Sequence, residues 1–398
     1  MTTDVRELTA RILKAAVPED LFGSLKGSHE EQAAQVTTAF KHMLIVVHPD
    51  KHQNSKDLPQ MQAAFIRLTS LKNDAELKCR SGTYGDRRPV NPPPPPADPV
   101  IVRVKKRKYT IREKLFQGDQ CDLYACTYQD PRGPKDGDAW DMLMEDEPTG
   151  PEHPAVLKLV MSAAYNDLAD NEVRILKHLY PADQKEEKFY RYLPKPIDSF
   201  TIRGTSGSQR KAIVFPRHEG YISLAQILRA YPKGIDFRDL VWMFKRALAG
   251  IGFAHHEGVV HGAVVPDHIL VHPKQHGAKV IDWSYAVMRK DGKERVKAFS
   301  PPWQDLYAPE ILAKQVPTPS TDIYMLAKCA VALLGGDTTT NKMPISVPTQ
   351  IRGFIESCLI KSPSRRPDNA WKLHEEFDDL LEKIVGKPRY RPFNTSGI

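Results

Sequence analysis

Residues 91–99 read N-P-P-P-P-P-A-D-P, and no single core can be built across such a stretch. Proline fixes φ and lacks a backbone N–H, so the run can neither sit inside a helix nor join a sheet ladder. It favours extended polyproline II at about 3.1 Å per residue, a semi-rigid spacer of about 25 Å. A P-x-x-P ligand for a signalling domain is the other reading of the same residues. With 398 residues there is chain enough for two or three domains. The tract therefore predicts a helical domain over 1–88 and a linker over 89–100. A larger body would follow over 101–386, with a tail over 387–398.

Apolar residues make up 41% of the chain, which supports packed cores rather than disorder. Much of the net charge of +8 sits in Arg103, Lys105, Lys106, Arg107 and Lys108, beside Arg112 and Lys114. This run reads as a solvated linker and the edge of a first strand. No aromatic platform accompanies it, so no nucleic acid partner is expected. Five cysteines (79, 121, 126, 329 and 358) are odd in number and include no C-x-x-C. That pattern points to a reducing, cytoplasmic compartment and against a disulfide framework or zinc site. The N-terminus has no signal-peptide character. The most apolar stretches, 43–47 and 325–334, are far shorter than the roughly 20 residues that span a bilayer, so no membrane partner is expected.

Before the tract, Leu8, Ile12 and Leu13 suggest a short helix, and Leu21, Phe22 and Leu25 a second apolar cluster. Ala33, Val36, Phe40, Leu44 and Val47 recur at three- and four-residue spacing and predict a long amphipathic helix over 30–47. His48-Pro49-Asp50-Lys51 interrupts it. A further helix over 59–78 carries Met61, Ala64, Phe65, Leu68 and Leu71 on one face. Helix, H-P-D-K, polar loop and helix together resemble the J-domain of DnaJ-type co-chaperones over 18–85, with Phe65 as the core aromatic. The resemblance implies a DnaK-type heat-shock chaperone as partner, contacted through His48, Pro49 and Asp50. The basic face that usually steers such contacts is thin here, with Lys41, His42, Lys51 and His52. A small helical bundle in which Pro49 merely ends a helix is the plainer alternative.

After the tract, strand patterns over 109–115, 122–128, 155–160 and 211–215 precede long helical patterns from 224 onward. The fold class is thus α+β and multidomain. Five stretches carry chemistry, and their order matters more than any one of them. F-Q-G-D-Q-C-D-L-Y begins at Phe116 and keeps one glycine, Gly118. A-V-L-K ends on Lys158, and N-E-V-R-I-L places Glu172 on a helix. H-G-A-V-V-P-D-H-I-L begins at His261, and K-V-I-D-W-S contains Asp282, Trp283 and Ser284. In this order they resemble the glycine loop, V-A-I-K, helix glutamate, H-R-D-L-K-P-E-N-I-L and D-F-G of the protein-kinase-like superfamily. Gly262 and the D-W pair lean toward its aminoglycoside and choline phosphotransferases.

That resemblance implies a β-rich lobe over 101–221, with an acidic insert at about 130–154, and a helical lobe over 222–386. It implies ATP and Mg as cofactors, with Gly118, Lys158, Glu172 and Asp282 at the nucleotide and Asp282 on the metal. It also exposes losses. The loop's first and third glycines fall on Phe116 and Cys121. The general-base Asp, whose contribution is typically 100- to 10,000-fold, falls on Ala263. The second metal-ligating Asn falls on His268, and imidazole is a poor ligand for Mg²⁺. His261 keeps the loop's structural histidine, so no catalytic residue is expected in this degenerate loop. Tyr307-Ala308-Pro309-Glu310, Asp322 and Arg366 match structural positions, while Ser300 and Thr318 are phosphosite candidates by position alone. The acidic residues Asp136, Asp138, Asp141, Glu145, Asp146 and Glu147 suggest an exposed insert or partner surface.

Three functional readings follow. The first is a co-chaperone-like adaptor: its J-domain recruits the chaperone, and a pseudokinase binds nucleotide or a client protein with little or no phosphoryl transfer. The second is an active, unconventional phospho- or nucleotidyl-transferase. The third is an interaction scaffold that binds no nucleotide.

Overall fold

The structure is a computed structural model of the chain, and it describes residues 5–47, 58–85, 99–130, 150–180, 187–203, 207–290, 292–386, 390–395 and 397–398. His48, Pro49 and Asp50, residues 91–98 of the proline tract and the acidic residues between 131 and 149 lie outside these. The chain divides into two compact units, Met1–Ala97 and Asp98–Ile398.

The first unit is helical: α1 (Val5–Lys14), α2 (Pro18–Phe22), α3 (His29–Val47) and α4 (Leu58–Ser81). Ile12, Leu21, Val47, Ala64, Leu68 and Leu71 meet in its centre, and Val36, Ala75 and Cys79 extend the seam between α3 and α4. The helical spacing read from the sequence thus corresponds to the faces that are buried. Phe65, expected as the core aromatic, is half-buried, as are Phe22 and Phe40, which pack against this centre. Ala64 and Leu68 take the innermost direction on that turn of α4. Charge also enters the core. Lys78 Nζ donates to both oxygens of Glu19, at 2.8 and 3.0 Å, with each side chain 5% exposed. The backbone N–H of Gly85 donates to the same carboxylate, fastening the end of α4 to α2.

The second unit opens with an antiparallel sheet of six strands in the order β1-β2-β3-β4-β6-β5. These are β1 (Val100–Val104), β2 (Arg107–Gln117), β3 (Cys121–Gln129), β4 (Glu152–Val160), β5 (Asp198–Arg203) and β6 (Gln209–Pro216). α5 (Asn166–Leu179) follows β4, and α6 (Glu187–Tyr190) is a single turn. Sheet side chains including Tyr109, Leu157, Ala212 and Val214 form one core. The basic run at 103–108 is mostly exposed and lies at a strand edge, but it is no linker: it is the β1–β2 hairpin, turning at Lys105 with φ 54°. Arg107 donates to Asp130 and Asp198, and Asp198 also accepts from the buried Tyr109 hydroxyl.

The rest is helical. β7 (Ile222–Ser223) and α7 (Leu224–Ala230) lead to the long α8 (Phe237–His256). Next come β8 (Val259–Val260), the hairpin of β9 (Ile269–His272) and β10 (Gly277–Val280), and β11 (Val287–Met288), which pairs with β8. α9 (Pro309–Leu312), α10 (Pro319–Leu333), α11 (Thr349–Cys358) and α12 (Ala370–Val385) complete the order. A large apolar core gathers around α8 and α10. The residues expected as a tail dock against it: Phe393 is buried beside Tyr231, and Arg391 pairs with Asp239 at 2.9 Å. Among the described residues, no helix is long and apolar enough to cross a membrane.

Candidate nucleotide cleft

Sheet pairing places Lys158 deep on β4, opposite Leu123 on β3 and Ile213 on β6. Its ammonium cannot stay in such a place unpaired. It donates to Glu172 of α5 at 2.6 Å and to Asp282 at 2.8 Å, with the Lys158 and Glu172 side chains 10% and 1% exposed. Burial works against the Lys158 charge, but Asp282 and Glu172 outweigh it and hold the ammonium well above its ordinary range. Burial raises Glu172 while Lys158 opposes. Asp282 stays far below the usual carboxylate range, since Lys158 and His268 overcome its burial. The second oxygen of Glu172 accepts the backbone N–H of Trp283 at 3.0 Å, so one carboxylate ties the lysine to the 282–284 turn.

That turn is shaped locally. Asp282 adopts a left-handed backbone, φ 60°, and caps the short turn after it by accepting from Ser284 N. The Ser284 hydroxyl, standing where D-F-G has glycine, donates to Asp282 Oδ1 as well. Trp283 is fully buried, with its ring edge-on to His261 at 4.5 Å. His261 faces the Ile281 carbonyl at 2.9 Å, and burial pushes its imidazole down to about 4. Asp322 of α10 accepts from the backbone N–H groups of His261 and Gly262, both at 2.8 Å, and from the His255 ring. Gly262 is required: φ is 72°, and a Cβ there would lie 2.6 Å from Val296. Arg366 clasps Glu310 through both terminal nitrogens, at 2.7 and 3.0 Å.

Positions 263 and 268 differ in outcome. Ala263 is fully buried in the helical core and lines neither cavity of the cleft. His268 faces the cleft with both ring nitrogens engaged. Nδ1 donates to the Ala263 carbonyl at 2.8 Å, and Nε2 lies 3.3 Å from Asp282 Oδ2. Both Asp282 oxygens therefore have protein partners. Among the described residues, no group of three or more His, Cys, Asp or Glu side chains is placed to hold a metal ion. The donor set does not suit a two-metal site, and a single Mg²⁺ on Asp282 would have to share its oxygens with Lys158, Ser284 and His268.

A nucleotide fits better. A cavity of about 440 Å³ runs from Leu115, Val156, Phe215 and Leu270 to Lys158 and Asp282. A smaller one of about 150 Å³ continues beneath Gly118. Their apolar walls and few convergent polar groups are what small-ligand sites share. Gly118 closes the β2–β3 turn by donating to Cys121 O at 2.9 Å, and a Cβ there would meet that oxygen at 2.7 Å. Cys121 lines both cavities as a neutral thiol, pushed up to about 12 by burial, and Phe116 sits beside it.

Sequence reasoning missed a clamp over this end. The Ser300 hydroxyl donates to Asp119 in the 118–121 turn at 2.8 Å, and Trp303 Nε1 donates to Asp267 at 2.8 Å. Arg174 and Asp167 of α5 hold Glu294 and Lys297 of the same segment. The D-W-S variation was the one visible signal for Ser284; the clamp had none, since its partners lie 181 and 36 positions apart.

Residues 208–392 match the protein kinase domain family. The serine/threonine-protein kinase CST20 of Candida albicans (strain SC5314 / ATCC MYA-2876) is 25% identical over 38% of this chain and 14% of its own length. The serine/threonine-protein kinase STE20 of Saccharomyces cerevisiae (strain ATCC 204508 / S288c) is 22% identical over 33% of this chain and 16% of its own. The chain thus spans under a fifth of the length of these curated relatives. Sheet, cleft and family match agree on a kinase-like domain within Asp98–Ile398.

Proposed function

We propose that this chain is an adaptor built on a pseudokinase: the kinase-like unit binds a nucleotide with little or no phosphoryl transfer. The N-terminal helical unit would engage a DnaK-type heat-shock chaperone through His48, Pro49 and Asp50. The observation that carries the first half is the pairing of an assembled Lys158–Glu172–Asp282 cluster with a buried methyl group at Ala263. Lys158 is placed to meet phosphate oxygens, and Gly118 lets backbone approach them. ATP, when bound, would supply the phosphoryl group; no side chain at position 263 is able to orient an acceptor hydroxyl or take its proton. The second half rests on the α3 and α4 pair flanking H-P-D in sequence.

The test is thermal unfolding of the full chain with ATP and Mg²⁺, separately and together, beside Lys158→Met. Ligand at 100-fold over its dissociation constant stabilises by about 2.7 kcal/mol, a rise of several degrees in a domain of this size. A rise absent in Lys158→Met supports the nucleotide site, and no rise at millimolar ATP leaves only a scaffold. For the helical unit, Asp50→Asn is expected to abolish stimulation of a DnaK-type ATPase. Unchanged stimulation would sink the chaperone assignment. An unconventional transferase is the second reading, favoured by the intact cluster. Transfer of label from ATP that vanishes in Lys158→Met would select it.

A further inference from the structure

The helical part carries another cavity, of about 630 Å³, whose wall shares no residue with the cleft. α8, α12, His276 beyond β9 and the docked residues Tyr390 and Arg391 enclose it. Among the described residues its charged wall residues are Arg238, Lys245, Arg246 and Arg391, and no Asp or Glu lines it. Three of these cations lean on acids outside the wall: Arg238 on Asp236, Lys245 on Asp378 and Arg391 on Asp239. Among the described residues Arg246 has neutral acceptors only, the His276 carbonyl and the Tyr192 hydroxyl, both at 3.2 Å. The Trp242 ring lies flat on His276 at 4.1 Å, and its buried Nε1–H has no acceptor among the described residues. Val241, Leu381 and Val385 add apolar surface. Positive character also reaches both histidines. Burial lowers His374, with Lys245 and Arg246 adding and Asp378 opposing; burial and Arg246 lower His276 against its bond to the Arg391 carbonyl.

We propose that this cavity docks an acidic peptide segment of a partner protein, one whose carboxylates are separated by apolar side chains. Charge complementarity selects the carboxylates: Arg246 offers a guanidinium with no acid partner among the described residues, and the described wall carries cations and no acid. The floor selects the apolar spacers, because Trp242, Val241 and Leu381 would stay wet beneath a purely polar ligand. A nucleic acid suits the site less well. Its binding draws on many free cations along a phosphate track, and three of the four here are already paired.

The test uses the full chain and a fluorescein-labelled synthetic peptide in which Glu and Asp alternate with Leu and Trp. Fluorescence polarisation is expected to show saturable binding that weakens about ten-fold or more in Arg246→Glu. Arg246→Lys should retain most of it. Arg238→Glu, which changes an exposed side chain, should also weaken binding and covers the case where Arg246→Glu fails to fold. Excess ATP should not displace the peptide. Equal binding of a peptide carrying Gln and Asn for its acids would overturn the proposal, as would displacement by ATP. Displacement by an equal concentration of single-stranded oligonucleotide would reassign the cavity to nucleic acid. Binding that emerges only after Asp136, Asp138, Asp141, Glu145, Asp146 and Glu147 are neutralised would make the chain its own occupant and rule out the partner-supplied segment.

Discussion

At position 263 the methyl group points into packed core, while two residues of the same loop, Asp267 and His268, line the cleft. Placing there the carboxylate that the kinase-like motif leads one to expect is therefore not a matter of changing one side chain. Ala263→Asp is expected to bury an unpaired acid, lowering stability by about 3 kcal/mol and yielding no transfer of label from ATP. Urea unfolding beside a transfer assay checks both, and a stable, active variant would show that position 263 opens onto the cleft. That position 263 carries no acid is legible in the sequence, since Ala has no proton-accepting atom in any fold. The use of His268 was not. Its type predicted a poor magnesium ligand; its place between the Ala263 carbonyl and Asp282 depends on a carboxylate delivered from another loop.

Elements were legible where burial imposes a period and obscure where it does not. α3 and α4 announce themselves through apolar residues three and four apart, and their ends lie close to those read from the sequence. β1 and β5 went unread. Both are edge strands of the sheet, and each is a strand because β2 or β6 offers it a backbone ladder. The same limit applies to Glu19 and Lys78, which are 59 positions apart and look like ordinary surface charges until α2 and α4 close over them. Removing one partner strands the other. Lys78→Met is expected to cost about 3–5 kcal/mol, and adding Glu19→Leu should recover most of it. Denaturant titration of the full chain, followed by helical circular dichroism, reads this in the transition of the N-terminal unit; additive losses would mean the pair is not a unit. On the clamp, Ser300→Asp sets a second carboxylate against Asp119 and should raise amide hydrogen exchange across residues 292–306 by about ten-fold. Unchanged exchange would show that the Ser300 contact does not hold the segment.

For the whole molecule, acid should unfold the kinase-like unit through its buried histidines. Burial holds His261 down to about 4 against an ordinary 6.5, so the unfolded chain takes up the proton first. Stability is then full above about pH 6.5 and falls as the pH drops toward 4, by about 3 kcal/mol for His261. His218 is also lowered to about 4 by burial and acts in the same direction, with less weight because it is only half-buried. Urea midpoints at pH 7, 5.5 and 4.5 measure the slope, and a flat profile would mean that His261 is not kept neutral. Local chemistry is what the chain determines alone: a proline run that must separate two units, helical periods, and an ordered series of kinase-like motifs with substitutions at Phe116, Cys121, Ala263 and His268. Tertiary structure decided the rest. Lys158 meets Glu172 and Asp282 across 14 and 124 positions, Ser300 reaches Asp119 across 181, and four cations from α8 and the docked C-terminal residues converge on one cavity. Covalent neighbours set φ, ψ and side-chain period, but which charges share a buried space is settled only when separate elements pack and exclude water.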